Sequence, residues 1–151
     1  MLTTRSVVVT PAVSTTPAYT AGDNVGGKLT IPVVGLTSEG TIAWIVLTDK
    51  GKQNAAMQLI IFFTDPSNTT FTDNGALTVH DLDLVKIGVV VAIAAADYVS
   101  LVDSSVAAKE VKLPFAVPSG GTLYGALVTS LTPTYTSVSD LQLRLNITQQ
   151  Q

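Results

Sequence analysis

The stretch Leu141-Gln-Leu-Arg-Leu-Asn-Ile147 decides the fold class, because apolar and polar residues alternate through it without a break. Successive side chains of a β-strand point to opposite faces, so this alternation predicts a strand with one face in a core and the other in water. The residues on the predicted core face are Leu141, Leu143, Leu145 and Ile147.

Segments rich in β-branched and aromatic residues recur toward the N-terminus, separated by residues that favour turns. They predict further strands at residues 5–10, 28–34, 41–48, 57–64, 89–94, 98–102, 110–117 and 123–130. In the segment 28–34, the predicted inner face carries Leu29, Ile31 and Val33. Eight or nine strands at this spacing are typical of a β-sandwich or barrel.

Two of the predicted strands, 57–64 and 89–94, are apolar on both faces. This indicates strands that are buried twice, in the middle of the domain or at a contact between subunits. One short helix is expected near residues 79–87, because Thr78 and Asp81 have the spacing of a helix cap. No crossover helix of ten or more residues joins the strands, so the predicted sheets are antiparallel.

The first 20 residues differ from the rest of the chain. They contain Pro11 and Pro17 among Thr, Ser and Ala, which favours extended structure at a sheet edge. The sequence therefore divides into an extended N-terminal arm or edge strand at 1–20 and a β-sandwich domain at 21–151. Such an arm is suited to pairing with the sheet edge of a neighbouring chain.

The composition limits the possible partners. Of the 151 residues, 46% are hydrophobic and 13% are charged, and the net charge is −3. Nucleic-acid binding needs a basic stripe that the sequence lacks, so no nucleic-acid partner is expected. The longest apolar run, residues 87–96, is well short of the ~20 residues that span a membrane, and the N-terminus does not have the pattern of a signal peptide. No membrane partner is expected.

The groups that carry chemistry are few. The sole histidine, His80, is a possible general base, although a lone histidine at a helix start is more often structural. Four aspartates invite comparison with a calcium site, but their spacing does not match a calcium loop; they are Asp65, Asp73, Asp81 and Asp83. With no cysteine there is no thiolate site. We expect no catalytic residues, no metal and no cofactor.

Two further chemistries stay open at this point. An acidic pair that meets across a sheet would suit glycoside hydrolysis. Exposed aromatic residues would suit sugar stacking, although the aromatic residues are more simply explained as core anchors. The aromatic candidates are Trp44, Tyr19, Tyr98, Tyr124 and Tyr135. A carbohydrate-binding β-sandwich module therefore stays as an alternative function.

The segment Ala18-Tyr-Thr-Ala-Gly-Asp-Asn-Val-Gly-Gly27 resembles the Tyr-x-x-Gly-Asp-x-x-Gly opening of small structural proteins from tailed-bacteriophage virions. Leu59-Ile-Ile-Phe-Phe-Thr-Asp-Pro66, Phe71-Thr-Asp-Asn74 and Leu123-Tyr-Gly-Ala-Leu-Val128 are similar to later parts of the same family. So are the segments at residues 133–137 and 140–141. The resemblance covers roughly residues 18 to 147.

The resemblance implies a capsid cement or decoration protein with a jelly-roll-like β-sandwich and no catalytic residues. Such a protein binds the outside of the assembled phage head and stabilises contacts between major capsid protein subunits. Its expected partners are the major capsid protein and itself, as a dimer or trimer. Its expected location is the capsid surface of the virion, after synthesis in the bacterial cytoplasm. A head-fibre or tail-associated adhesin component is a related alternative.

Overall fold

A computed structural model describes residues 1–33, 38–117 and 121–150. Within these ranges it contains nine β-strands, one four-residue α-helix and a short 3₁₀ turn at Ala95–Asp97. The elements are β1 (Leu2–Val9), β2 (Asn24–Pro32), β3 (Glu39–Asp49), β4 (Met57–Phe62), α1 (Asp81–Leu84), β5 (Ile87–Ile93), β6 (Tyr98–Ser100), β7 (Ser105–Ala116), β8 (Thr122–Thr129) and β9 (Leu141–Gln150). Every predicted strand is present, and the predicted end of the second at Val34 lies outside the described residues.

The strands form two antiparallel sheets. The five-stranded sheet has the order β1-β9-β3-β7-β6, and the four-stranded sheet has the order β2-β8-β4-β5. Most connections cross from one sheet to the other, which is the arrangement of a jelly roll, with β6 added at one edge. The predicted antiparallel, jelly-roll-like β-sandwich is confirmed.

The main core lies between the two sheets. The four apolar residues of β9 that were predicted to face it are fully buried, and so are Leu29, Ile31 and Val33 on the facing side. Full burial of such a side chain contributes about 1.5–3 kcal/mol. The alternating pattern that predicted these strands is therefore also what holds the sheets together.

A second, smaller core covers the outer face of the four-stranded sheet. It is built on Ile60 and Phe62 of β4, and residues of the long connection 63–86 pack over them, including Phe71 and Leu77. The rings of Phe62 and Phe71 meet edge to face, with centroids 6.1 Å apart. The two-sided burial predicted for β4 is confirmed, and the chain's own loop provides it rather than a contact between subunits.

The helix is shorter than predicted. It covers Asp81–Leu84 instead of 79–87, and its N-cap is His80 rather than Thr78. The imidazole Nδ1 of His80 accepts a hydrogen bond from the Leu82 N–H at 3.1 Å. The helix ends early because the chain returns to the sheet at once: the Phe63 N–H bonds the carbonyl of Lys86, and β5 begins at the next residue.

The strand β5 was predicted to be buried, and this prediction is wrong. It is the last strand of the four-stranded sheet, with β4 on one side. Val89 and Val91 on its inner face pack against the main core, whereas Val90 on the outer face is 48% exposed. Composition does not separate an edge strand from a central one, because the difference lies in how many strands flank it.

The N-terminal segment begins as an edge strand. β1 pairs antiparallel with β9 from Leu2 opposite Gln150 to Val9 opposite Leu143, so the two chain ends lie side by side. We call the end of the sandwich that carries them the terminal end. The opposite, distal end carries the connections 10–23, 50–56 and 130–140 and the turn between β6 and β7.

Candidate functional site

Asp83 organises the long connection between β4 and β5. Its side chain is fully buried and accepts hydrogen bonds from the Asn68 backbone N–H at 3.0 Å, the Thr69 hydroxyl at 2.7 Å and the Lys86 ammonium at 2.7 Å. Burial by itself raises the pKa of Asp83, but the bonds from Lys86, Thr69 and Asn68 outweigh it and hold that pKa well below its usual range. Asp83 is therefore a structural anion that fixes the loop and α1.

Asp73 ties the N-terminal segment to the same connection. It accepts hydrogen bonds from the Tyr19 hydroxyl at 2.7 Å, from the Gly26 N–H at 2.7 Å and from the Ser14 hydroxyl. Burial, together with the bond to Asp73, raises the pKa of Tyr19 above its ordinary value. The phenol thus stays protonated and donates a hydrogen bond to the carboxylate of Asp73.

The four aspartates considered for a cation site do not converge. Asp65 pairs with Lys28 at 2.8 Å, Asp81 is exposed at the start of α1, and Asp73 and Asp83 each hold a different set of donors. Across 1–33, 38–117 and 121–150, no three His, Cys, Asp or Glu side chains are grouped so that they could hold a metal ion.

One acidic pair does meet, at the distal end. Asp49 and Asp140 both lie against Gly51, and both are buried. The Asn54 N–H donates to Asp49 at 2.9 Å, and the Thr136 N–H donates to Asp140 at 2.9 Å. Burial raises the pKa of Asp49 more than the backbone hydrogen bonds to its carboxylate lower it, and the nearby charge of Asp140 raises that pKa further. Each carboxylate thus holds the loop next to it, and burial closes both to a sugar substrate.

His80 lacks the surroundings of a general base. It is exposed, and its Nδ1 is engaged in capping α1. One groove in the described part of the chain lies elsewhere, at the terminal end, and its lining includes Leu2, Glu39 and Phe115 but neither His80 nor an aspartate. The structure thus does not bring His80 and the acidic residues into one concave site.

The aromatic residues do not form one platform. Tyr19, Tyr98 and Tyr135 are buried. Trp44 is 41% exposed on the outer face of the five-stranded sheet, where a register shift after Ile42 interrupts the pairing of β3. Tyr124 is half-buried on the outer face of the other sheet. The two accessible aromatic side chains therefore face away from each other.

Exposed apolar side chains concentrate in two places that the sequence did not single out. The hairpin patch, at the turn between β6 and β7, consists of Val99, Leu101 and Val102. The helix patch, on α1 and the residue after it, consists of Leu82, Leu84 and Val85. Val102 and Val85 are 90% and 88% exposed, so almost all of their apolar surface is in contact with water.

Each patch is held by polar contacts beneath it. The Lys52 ammonium donates to the carbonyls of Leu101 at 3.0 Å and Val102 at 3.4 Å, and the Leu101 N–H bonds the Ser104 carbonyl at 2.7 Å. The helix patch is held in place by the Asp83 network, the hydrogen bonds that Asp83 accepts from Asn68, Thr69 and Lys86. The hairpin patch lies at the distal end and the helix patch at the terminal end, separated by the seven-residue length of β5, roughly 20 Å.

No helix in the described part of the chain is long and apolar enough to cross a membrane. No protein-family model matches the chain, and no curated protein matches it. Among solved structures, the chain is similar to one described as the structure of tomato aspermy virus by X-ray crystallography. The identity is 10%, the TM-score is 0.49, and the alignment covers 99% of this chain and 78% of that chain. A likeness of this degree identifies neither a family nor a function.

Proposed function

We propose that this chain is a virion structural protein of the cement or decoration class. In this proposal it binds the outside of an assembled tailed-bacteriophage head and bridges neighbouring major capsid protein subunits. The observation that carries the proposal is the pair of exposed apolar patches at opposite ends of the sandwich. A protein that joins two subunits needs two separate docking surfaces, and the hairpin and helix patches meet that need.

The energetics favour binding to the assembled shell. Burying a valine or leucine side chain contributes about 1.5–3 kcal/mol, so each patch of three residues supplies a useful contact. Once one patch is docked, the second docks as an intramolecular event. Free capsid subunits would engage one patch at a time, whereas a shell engages both. Binding then stabilises the assembled state by mass action.

The polar contacts beneath the patches support the same role. Lys52 holds the hairpin turn, and the Asp83 network holds α1, so neither patch has to become ordered when it binds. A preorganised surface avoids much of the entropy cost of docking. The resemblance of residues 18 to 147 to phage virion proteins and the jelly-roll fold, which capsid proteins use widely, are consistent with this assignment.

We propose further that the protein is not an enzyme and that its copies associate with one another. The groups best suited to chemistry have structural partners: Asp83 and Asp73 anchor loops, Asp49 and Asp140 are buried, and His80 caps α1. The proposed location is the capsid surface. No nucleic-acid partner is proposed, given the net charge of −3.

Co-sedimentation with heads of the phage that encodes the chain, stripped of this protein, tests the proposal. We expect the protein to pellet with assembled heads and not to bind free capsid subunits with comparable affinity, and we expect it to raise the temperature at which the heads break. Val102→Ser removes about 1.5 kcal/mol of burial and weakens binding about tenfold.

A variant in the other patch and a matched control sharpen this experiment. Val85→Ser is expected to bind heads more weakly and to stabilise them less, because one of its two contacts is impaired. Val8→Ser changes a valine that is 52% exposed on β1, outside both patches, and is expected to behave as the wild type. Failure of the wild-type protein to bind heads, or equal binding by all variants, would refute the proposal.

A carbohydrate-binding module is the second candidate, and the exposure of Trp44 on an open sheet face favours it. Lectins also use jelly-roll folds. Trp44 is the sole tryptophan, so its fluorescence reports directly on a sugar stacked against it. Saturable quenching by oligosaccharides of the host cell surface, together with no binding to heads, would support this candidate over the cement role.

A further inference from the structure

In the described part of the chain, the sandwich has four edge strands: β1, β2, β5 and β6. An edge strand exposes unpaired backbone groups, and proteins protect such edges with charges, proline, bulges or short length. β6 has only three residues, and β2 contains Lys28, Pro32 and a register shift between Val25 and Leu29. β1 contains Arg5, whose guanidinium donates to the Pro32 carbonyl at 3.4 Å. Three of the four edges are thus protected.

β5 has none of these protections over most of its length. Its sequence, Ile87-Gly-Val-Val-Val-Ala-Ile93, contains no charge and no proline. Its one irregularity is a bulge at Gly88, at the start of the strand, so the five residues from Val89 to Ile93 continue as a regular strand. Among the described residues, β4 is the sole strand that pairs with β5. A regular apolar edge of this kind is a template for another strand.

We propose that the β5 edge is a self-association surface, at which β5 pairs antiparallel with β5 of a second copy of this chain about a two-fold axis. A two-fold interface uses the same surface on both partners, so a single unprotected edge is sufficient. The pairing would join two four-stranded sheets into one continuous eight-stranded sheet.

The side chains of β5 suit this partner on both faces. On the inner face, Val89 and Val91 belong to the edge of the main core but are only half-buried. The same residues of a second copy would close the core at that edge. On the outer face, Val90 and Ala92 are exposed, and they would meet their counterparts across the axis. Directly opposed and diagonal neighbours of antiparallel strands are within contact distance.

The charges at the two ends of β5 do not oppose the pairing. Lys86, which precedes the strand, is paired with Asp83 at 2.7 Å. Asp97, which follows it, is paired with Lys109 at 3.1 Å. Because each flank is neutralised within its own chain, antiparallel pairing of two copies brings no uncompensated like charges together. This electrostatic compatibility with itself is the reason for assigning the edge to a second copy.

Sedimentation velocity on the purified protein, over a wide concentration range and without phage heads, tests the assignment. We expect a monomer–dimer equilibrium in the wild type. Val90→Lys is expected to raise the dimer Kd at least tenfold, because two lysines would meet across the axis. Val8→Lys is the matched control, since it changes a similarly exposed valine on the edge strand β1 and is expected to leave the Kd unchanged.

Two further measurements keep the assignment testable if Val90→Lys folds poorly. Mixing Val90→Lys with Val90→Glu is expected to restore dimers, now mixed, through opposite charges at the axis. Hydrogen exchange of the wild type is expected to slow at Val89–Ile93 as concentration rises. A wild type that stays monomeric at all concentrations, a dimer that dissociates with Val8→Lys instead, or exchange that does not depend on concentration would overturn the proposal. These outcomes are independent of binding to phage heads.

Discussion

Replacing Tyr19 by Phe and, separately, Tyr135 by Phe would remove the hydroxyl from two buried rings that touch each other. The rings meet edge to face with centroids 5.9 Å apart, and both side chains are almost completely buried. Each substitution keeps the ring and its packing. The two changes therefore differ only in what the lost hydroxyl was bonded to.

The Tyr19 hydroxyl has two partners. It donates to Asp73 at 2.7 Å and accepts from the Ser14 N–H at 2.7 Å. A hydrogen bond to a charged group contributes about 1.5–3 kcal/mol. The Ser14 N–H, which is half-buried, also loses its partner, and an unpaired N–H costs about 1–3 kcal/mol when it is fully buried. Allowing for partial relaxation, Tyr19→Phe is expected to lower the free energy of unfolding by about 2–4 kcal/mol.

The Tyr135 hydroxyl is buried and has no hydrogen-bond partner among the described residues. Burying a hydroxyl without a partner is unfavourable, so its removal is expected to leave stability unchanged or to raise it by up to about 1 kcal/mol. Urea unfolding followed by circular dichroism and Trp44 fluorescence measures both variants, with unchanged m-values as the check on two-state behaviour. A Tyr135→Phe variant as unstable as Tyr19→Phe would refute the assignment of the hydrogen bonds.

Two more stability predictions follow from buried groups. Burial, with a contribution from Asp140, raises the pKa of Asp49. The folded state therefore binds a proton at Asp49 more tightly than the unfolded state does. As pH rises above the ordinary aspartate pKa near 4, this proton is lost and the folded state becomes less stable. Asp49→Asn is therefore expected to be more stable than the wild type at pH 7, with a gain that shrinks as pH falls toward 4; a gain that does not vary with pH in denaturant titrations would contradict this. Gly88→Ala places a methyl group 2.3 Å from the Phe63 ring and is expected to destabilise by about 1–3 kcal/mol in thermal unfolding. At Gly75 the nearest atom would be 3.4 Å away, so Gly75→Ala is the control and is expected to change stability by less than about 0.5 kcal/mol.

The sequence predicted those parts of the fold that depend on local periodicity. β9 and β2 alternate with period two, and their apolar faces point into the core as expected. The composition of β4 predicted burial on both faces, but not that residues 63–86 of the same chain provide the outer cover. That cover depends on contacts between distant segments, which a local pattern does not contain.

The same limit explains the errors around β5 and Trp44. Residues 89–94 have the composition of a central strand, yet β5 is an edge because no further strand pairs with it in the described chain. Trp44 was expected to anchor the core, but after the register shift in β3 it lies on the outer face with Val46, while Ile45 and Leu47 point inward. A shift of one residue reverses the faces of a strand, and the sequence carries no clear signal for it.

The candidate surfaces were the hardest part to predict. The strand predicted at residues 98–102 included Val99, Leu101 and Val102, and the helix predicted at 79–87 included Leu82 and Val85. Their exposure follows from where the turn and α1 end, which is set by Lys52 and by the return of the chain to β5. Likewise, Asp49 and Asp140 are far apart in sequence, and only the fold brings them together at Gly51.

The pairing of Leu2 with Gln150 has a practical consequence for engineering. Directly opposed residues of antiparallel strands have Cα atoms about 4.5–5.5 Å apart, so a linker of a few residues could join the two ends. Circular permutants opened elsewhere would then preserve the β1–β9 ladder. A cargo protein fused to either end would leave the sandwich from the same place, at the terminal end and far from the turn that carries Val102.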